Sequence, residues 1–274
     1  MADHLSLHHL TVREVDSATF IDIAAAVGCT HACLFVDVPK PLGSLLPSIS
    51  TIAEAESIAR RMRDHGLKAC SLDFFIIDES FSASECHGAF ERGAILGGSR
   101  ATVQVKHPDE GHALDLFRAL GEVGAEYGIA LTLEFTGMAS IASIDAAADF
   151  VVRAEVAGAA LVADALHLFR TGGTAEDIKR HASLIGYAQI CDGLVGSTSL
   201  DYRQEALFGR MVPGSGDFPL VQFVSNLPKS VLVSVEAPFQ AADPSTTAQE
   251  RAKRAVEGAR AVLSAARTHG GPAA

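Results

Sequence analysis

Positive charge is scarce in this sequence: 22 Lys and Arg stand against 33 Asp and Glu, a formal net charge of −11. Binding to a phosphate backbone normally needs basic residues gathered on a face or stripe. The basic runs "RRMRDHG" and "KRHASL" fall on expected surface helices, where charge faces solvent. We therefore expect no nucleic-acid partner. Uninterrupted apolar runs of about 18 residues are also missing, and the opening "MADHLSLHHL" lacks a cationic segment followed by an apolar one. The expectation is neither secretion nor membrane insertion. The five cysteines, Cys29, Cys33, Cys70, Cys86 and Cys191, form no CxxC pairs, which argues against a structural zinc knuckle or a disulfide frame and fits a reducing cytoplasm. Cys29 and Cys33 read as two small buried residues.

What the chain does contain is apolar surface in alternation. Hydrophobic residues make up 48% and charged residues 20%, enough to bury a core and too little charge for general disorder. Strand-like and helix-like segments follow one another from "LSLHHLTV" (5–12) and "SATFIDIAAAVG" to "SVLVSVEAPF" and "TTAQERAKRAVEGARAVLSAART". Asp16 and Ser17 can cap the first helix and Gly28 can end it. Eight strand–helix pairs result, with a Pro/Gly/Ser loop around 39–50 and a long loop after "GYAQICD". Strands separated by helices must pair in parallel, and eight such units close into a (β/α)8 TIM barrel, α/β in class. An open doubly wound sheet usually carries a glycine-rich turn after strand one; here that turn is "TVREVDSAT". Residues 1–274 read as one domain, with 266–274 as a frayed tail.

Four strands end in an oxygen-bearing side chain: Glu134 in "ALTLEF", Asp164 in "LVADALH", Gln189 in "GYAQICDG" and Glu236 in "VLVSVEAPF". A parallel barrel gathers strand ends at one mouth. Period-two alternation puts Thr132 with Glu134, and Ser234 with Glu236, on the inward face. Carboxylates buried there repel one another unless paired or metal-bound. Three carboxylates and a carboxamide suit a hard divalent ion, Mn²⁺, Mg²⁺ or Co²⁺, better than Zn²⁺. The bland alternative for each residue is a helix cap or an ion pair across the mouth.

At these residues, and over nearly its whole length, the chain resembles the xylose isomerase-like barrel superfamily of sugar-phosphate isomerases, ketose 3-epimerases, inosose dehydratases and 3-dehydroshikimate dehydratases. The motifs are Glu134, "DALHLFRTGG", "QICDG", "EALFGRMVPGSGDFPL" and "VSVEAPF". The resemblance implies that Glu134, Asp164, Gln189 and Glu236 hold the metal. It implies proton removal beside a carbonyl, followed by reprotonation or by loss of a β-hydroxyl, with Glu134 and Glu236 doubling as acid and base. His167 is then a substrate contact or general base. Gln189, where ketose epimerases usually place a histidine, looks more like the dehydratase branch, whereas "LEFTGM" lacks the histidine that dehydroshikimate dehydratases often show after the glutamate. The branch stays open.

Around this centre, Arg210 could grip a substrate carboxylate or phosphate, with Glu205 orienting it, or form an intramolecular ion pair instead. Arg170 is a weaker candidate for the anion contact. Phe74, Phe75 and Phe135 could wall the pocket, core packing being the safer account of at least two. Asp73, Lys106 and His107 sit at the expected mouth. Asp192 should face away from Gln189 and bond to the loop, and Asp217 should cap the helix after "GSG". The expected partner is a small molecule, with a homo-oligomer possible. The rival to a metal-dependent isomerase, epimerase or dehydratase is a non-catalytic ligand-binding barrel, which predicts no bound metal.

Overall fold

The computed structural model describes residues 4–39, 42–43, 45–196, 200–239 and 245–269. The chain alternates strand and helix from the start: β1 (Leu5–His8), α1 (Ser17–Ala26), β2 (His31–Phe35), α2 (Ile52–Asp64), β3 (Lys68–Ile77) and α3 (His87–Ile95). It continues through β4 (Arg100–Val105), α4 (Glu110–Glu126), β5 (Ala130–Glu134), α5 (Ile144–Ala154), β6 (Ala160–Asp164), α6 (Ala165–Arg170) and α7 (Ala175–Arg180). The last part comprises β7 (Ile185–Ile190), a short α8 (Tyr202–Gln204), α9 (Leu220–Asn226), β8 (Leu232–Val235) and α10 (Ala248–His269). The eight strands pair in parallel in chain order and β8 closes onto β1, making the (β/α)8 barrel that the alternation predicts.

Side chains at the helix starts do the local work. Asp16 caps α1 by accepting from the Thr19 N–H at 2.7 Å, Thr51 and Glu54 form a capping box on α2, and Asp109 and Ser143 cap α4 and α5. Each satisfies an amide that has no partner within its helix. Gly28 ends α1 at φ 74°, a conformation that a side chain would strain. The main core lies between the outer face of the sheet and the helices, with Phe20, Phe75, Phe90, Phe117, Phe150 and Phe223 fully buried.

Four details differ from the sequence reading. β1 stops at His8, and residues 9–12 form a 3-10 turn rather than more strand. Asp164 caps a helix, α6, that is additional to the eight strand–helix pairs read from the sequence. Asp217 does not cap α9; Pro219 holds that position, and the Asp217 carboxylate instead accepts from the Val195 N–H. Residues 266–269, expected to fray, continue α10, with Ala266 buried against the core. Residues 270–274 lie outside the described part of the chain.

The barrel interior is unusually polar. Beneath the C-terminal mouth sit Ser6, Cys33, Ser71, Thr102, Tyr187 and Ser234, where branched apolar side chains commonly fill such barrels. Hydrogen bonds replace apolar packing: Ser71 and Tyr187 hydroxyls lie 2.9 and 2.7 Å from Thr102 Oγ1, and Cys33 Sγ lies 3.3 Å from Ser234 Oγ. A polar layer here can only be tolerated if it is bonded throughout.

Candidate metal and catalytic site

Above that layer six strands carry His8, Asp73, Gln104, Glu134, Asp164 and Gln189, and Glu236 follows directly after β8, all buried. The register explains part of the convergence: Asp164 on β6 is level with Gln189 on β7, and Leu7 on β1 is level with Val235, so His8 adjoins Glu236. A narrow cavity of about 60 Å³ opens between them, lined by His8, Asp73, Gln104, Glu134, His167, Arg210 and Glu236. Apolar side chains, among them Leu10, Phe35 and Phe74, close its other side.

The ligand atoms of Glu134, Asp164 and His167 all lie within 4.8 Å of one another, a grouping that could hold a metal ion. Two further atoms at this mouth, Gln189 Oε1 and Glu236 Oε2, are buried without a hydrogen-bond partner among the described residues. Buried polar atoms are rarely left so. Unpaired oxygens beside a cluster of carboxylates are what a cation would satisfy, so the residues present fit a divalent ion. The structure therefore brings Glu134, Asp164, Gln189 and Glu236 to one mouth and adds an imidazole, His167, to a set read as all-oxygen.

Electrostatics point the same way. Burial first, then the charges of Glu236 and Asp164, push Glu134 up to about 8, although Gln104 Nε2 donates to its Oε2 at 2.6 Å. Glu236 rises to about 7, mainly through burial, with Arg210 and His8 opposing. Asp164 behaves differently. Burial would raise it, but Arg210, His167 and the His167 backbone N–H at 2.8 Å hold it below its ordinary value. His167 itself is lowered to about 4 by burial, so its ring is neutral near pH 7, and Nδ1 lies 2.6 Å from the Tyr202 hydroxyl. A neutral imidazole anchored through one nitrogen can present the other as a ligand or base.

Arg210 does not stand free to grip a substrate anion. Its Nε donates to Ala206 O at 2.9 Å, one terminal nitrogen to Asp164 at 2.7 Å and the other to Glu236 at 3.2 Å, all buried. The intramolecular ion pair wins because two carboxylates face the guanidinium across the mouth. Glu205 does not orient Arg210 either. It binds Arg170 through two bonds of 2.7 and 2.6 Å, which removes both from the cavity and ties α6 to the segment after α8. Phe74 lines the cavity, while Phe75 and Phe135 are fully buried in the core. Lys106 is half-buried and its pKa is lowered, by burial and then by Arg203. His107 is bonded through Nδ1 to the backbone of Asp109. Asp192 bonds the loop as expected, accepting from the N–H groups of Gly193, Gly214 and Phe218.

Three site residues were missed or underweighted. Gln104 shares its face with Thr102 and Lys106, so period-two alternation could have found it. His8 and Asp73 form a buried pair, Nε2 to Oδ2 2.6 Å, and Asp73 Oδ1 accepts from Thr102, which in turn accepts from Tyr187. The Leu10 N–H points at His8 Nδ1, which fits a neutral ring protonated at Nε2. Burial opposes a second proton, but Glu236 and Asp73 raise the pKa to about 10, so it is gained only by giving up the Leu10 bond.

The model of a family described as "Xylose isomerase-like TIM barrel" matches residues 21–265. No curated protein matches the chain. Among solved structures, a xylose isomerase-like TIM barrel/4-hydroxyphenylpyruvate dioxygenase fusion protein superposes over 97% of this chain with TM-score 0.79 and 16% identity; the chain spans 43% of that protein. An IolI protein with a bound zinc atom gives TM-score 0.78 at 18% identity, covering 95% of this chain and 98% of the other. An L-ribulose 3-epimerase gives TM-score 0.74 at 15% identity over 98% and 97%. At these identities the superpositions establish the shared fold.

Proposed function

Because the chain belongs to the xylose isomerase-like TIM barrel family, we propose that it is a divalent-metal-dependent enzyme that moves a proton next to a carbonyl in a small hydroxy-carbonyl, keto-polyol or sugar-like substrate, in the manner of an isomerase or epimerase. The observation that carries this reading is the gathering of Glu134, Asp164, His167, Gln189 and Glu236 at one mouth, where Glu134, His167 and Glu236 line a narrow cavity and two buried oxygens, Gln189 Oε1 and Glu236 Oε2, lack a hydrogen-bond partner among the described residues. When bound, the ion polarises the carbonyl and offsets the charge that develops as the proton leaves. Mn²⁺, Mg²⁺ and Co²⁺ suit the oxygen donors; His167, and the zinc atom in the IolI structure, bring Zn²⁺ into the set.

The chain's own residues divide the remaining work. Glu134 and Glu236 face the cavity from β5 and the end of β8, and carboxyl groups raised to about 8 and about 7 are matched to giving and taking protons near neutrality. Gln104 holds Glu134 by one oxygen, and Arg210 holds Glu236 by one, so each carboxyl keeps its other oxygen for proton transfer or the ion. With Arg210 already neutralised by two carboxylates, the reacting end of the substrate is uncharged.

One observation favours a second reading. Gln189 replaces the strand-seven histidine usual in ketose epimerases, which favours loss of a β-hydroxyl as water after the same proton removal. A single experiment separates the outcomes: the metal-loaded protein is incubated in D₂O with a panel of keto-polyols and 3-dehydroshikimate. Deuterium at the α-carbon with flat absorbance supports the isomerase or epimerase; a rise in ultraviolet absorbance from a new conjugated double bond supports the dehydratase. A protein that retains no divalent ion after purification and stays inert with added Mn²⁺ sinks both and leaves a ligand-binding barrel.

A further inference from the structure

The opposite end of the barrel collects the opposite charge. All strands of a parallel barrel begin at the same end. The residues opening β2, β3 and β4 are His31, Lys68 and Arg100; His4 precedes β1 and Lys229 leads into β8. Since β8, β1, β2, β3 and β4 are consecutive neighbours in the closed sheet, these five side chains occupy one continuous arc. The register brings His31 level with Lys68 and with Ser6 of β1.

Four of the five, His4, His31, Arg100 and Lys229, line a cavity of about 330 Å³ whose lining contains no Asp or Glu among the described residues. In a chain of net charge −11 this is a local inversion. The contrast with other arginines is informative: Arg61, Arg118, Arg153 and Arg180 each meet a carboxylate on the surface. Arg100 is half-buried beside a cavity whose polar lining, among the described residues, is the hydroxyls of Ser99 and Ser230, the rings of His4 and His31 and the ammonium of Lys229. His31 feels the imbalance: burial and then the neighbouring His4 and Lys68 hold its pKa below the ordinary value. The half-buried Arg100 guanidinium, with the exposed Lys229 beside it and no carboxylate among the described lining residues, leaves a positive cavity that an anion would complete.

We propose that this cavity is a binding site for a small phosphomonoester, with the phosphoryl group held between Arg100, His31 and Lys229 and the organic part against Val231 and Leu263. Arg100 supplies a planar fork suited to phosphate oxygens, Lys229 a mobile point charge and His31 a ring donor. The volume admits more than an isolated phosphate, and the apolar residues in the lining, Val231 and Leu263 among them, give the remainder a surface to cover. This site lies at the far end of the barrel from Glu134 and Glu236 and does not depend on the chemistry proposed there.

The test is calorimetric titration of the full-length protein with inorganic phosphate, ribose 5-phosphate and ribose at constant ionic strength, together with the ring signals of His31 by NMR. Ribose 5-phosphate is expected to bind more tightly than inorganic phosphate, with the His31 signals shifting as it does. Arg100→Gln and Lys229→Gln should each weaken it roughly tenfold, the loss of one charge-assisted contact. Lys229 is exposed, so its variant remains informative even if Arg100→Gln folds poorly. Unchanged affinity in both variants, or unmoved His31 signals, overturns the site. An ester no tighter than inorganic phosphate overturns the ligand class. Binding lost in Glu134→Gln but kept in the two basic-site variants would put the anion at the catalytic mouth and overturn the proposal without bearing on the reaction itself.

Discussion

At the scale of single residues, Arg210 decides most. Its guanidinium is the internal counter-charge for Asp164 and Glu236, so removing it leaves two buried carboxylates facing each other. Arg210→Ala should therefore destabilise the protein by about 3–5 kcal/mol, the usual consequence of breaking a buried ion pair from one side. Urea denaturation of the purified variant measures this. A residue that served only to grip substrate would instead raise KM and leave the unfolding midpoint in place. Gln104 is a positioning residue of a different kind, acting through the 2.6 Å bond to Glu134. Gln104→Ala should cost about 10–100-fold in metal affinity or kcat/KM, as loss of a bond that orients a ligand typically does, with the fold intact by circular dichroism. Equal metal affinity in variant and wild type would mean that Glu134 needs no such support.

At the scale of elements, the strands that end in oxygen donors were legible because period-two alternation and strand-end position are local properties, and Glu134, Asp164, Gln189 and Glu236 needed nothing more. The partners were not. Arg210, Glu205 and Arg170 sit in or beside one loop, and which acid meets which base depends on how that loop folds back over the barrel. The fold-back is set by Asp192, by its antiparallel backbone pairing with Met211 and by α10, none of which leaves a periodic signal. Helix α6 was missed because Asp164 serves at once as the last residue of β6 and as the cap of α6. The closeness of α10 to the loop is testable. A Cβ on Gly258 would lie 2.4 Å from Pro213 O and 2.8 Å from Val212 Cγ1, so Gly258→Ala must push the loop that carries Arg210. We expect a loss of about 1–3 kcal/mol in stability together with reduced kcat/KM, read from thermal melts and initial rates; a variant with wild-type values for both would show that the loop is not braced by α10.

For the whole molecule, buried titratable groups at and near one mouth dictate how stability depends on pH. Glu134 and Glu236 are raised from 4.5 to about 8 and about 7. The folded state thus holds more protons than the unfolded chain across those windows, and stability falls as pH rises through them. His167 and His9 are lowered from 6.5 to about 4 and about 3, mainly by burial; the folded state holds fewer protons there, and stability rises with pH up to 6.5. Between about 4.5 and 6.5 two groups act in each direction and nearly cancel. Above 6.5 only the falling contributions of Glu134 and Glu236 remain. The metal-free protein should therefore show a plateau in Tm from about pH 4.5 to 6.5 and a decline beyond it. A divalent ion reverses the decline, because it needs the same carboxylates deprotonated and gains affinity as protons leave. The rise in Tm on adding Mn²⁺ should be larger at pH 8 than at pH 6, and calorimetry near pH 7 in buffers of different ionisation enthalpy should detect proton release on binding. An Mn²⁺-induced rise that is the same at both pH values would mean that Glu134 and Glu236 do not hold the ion.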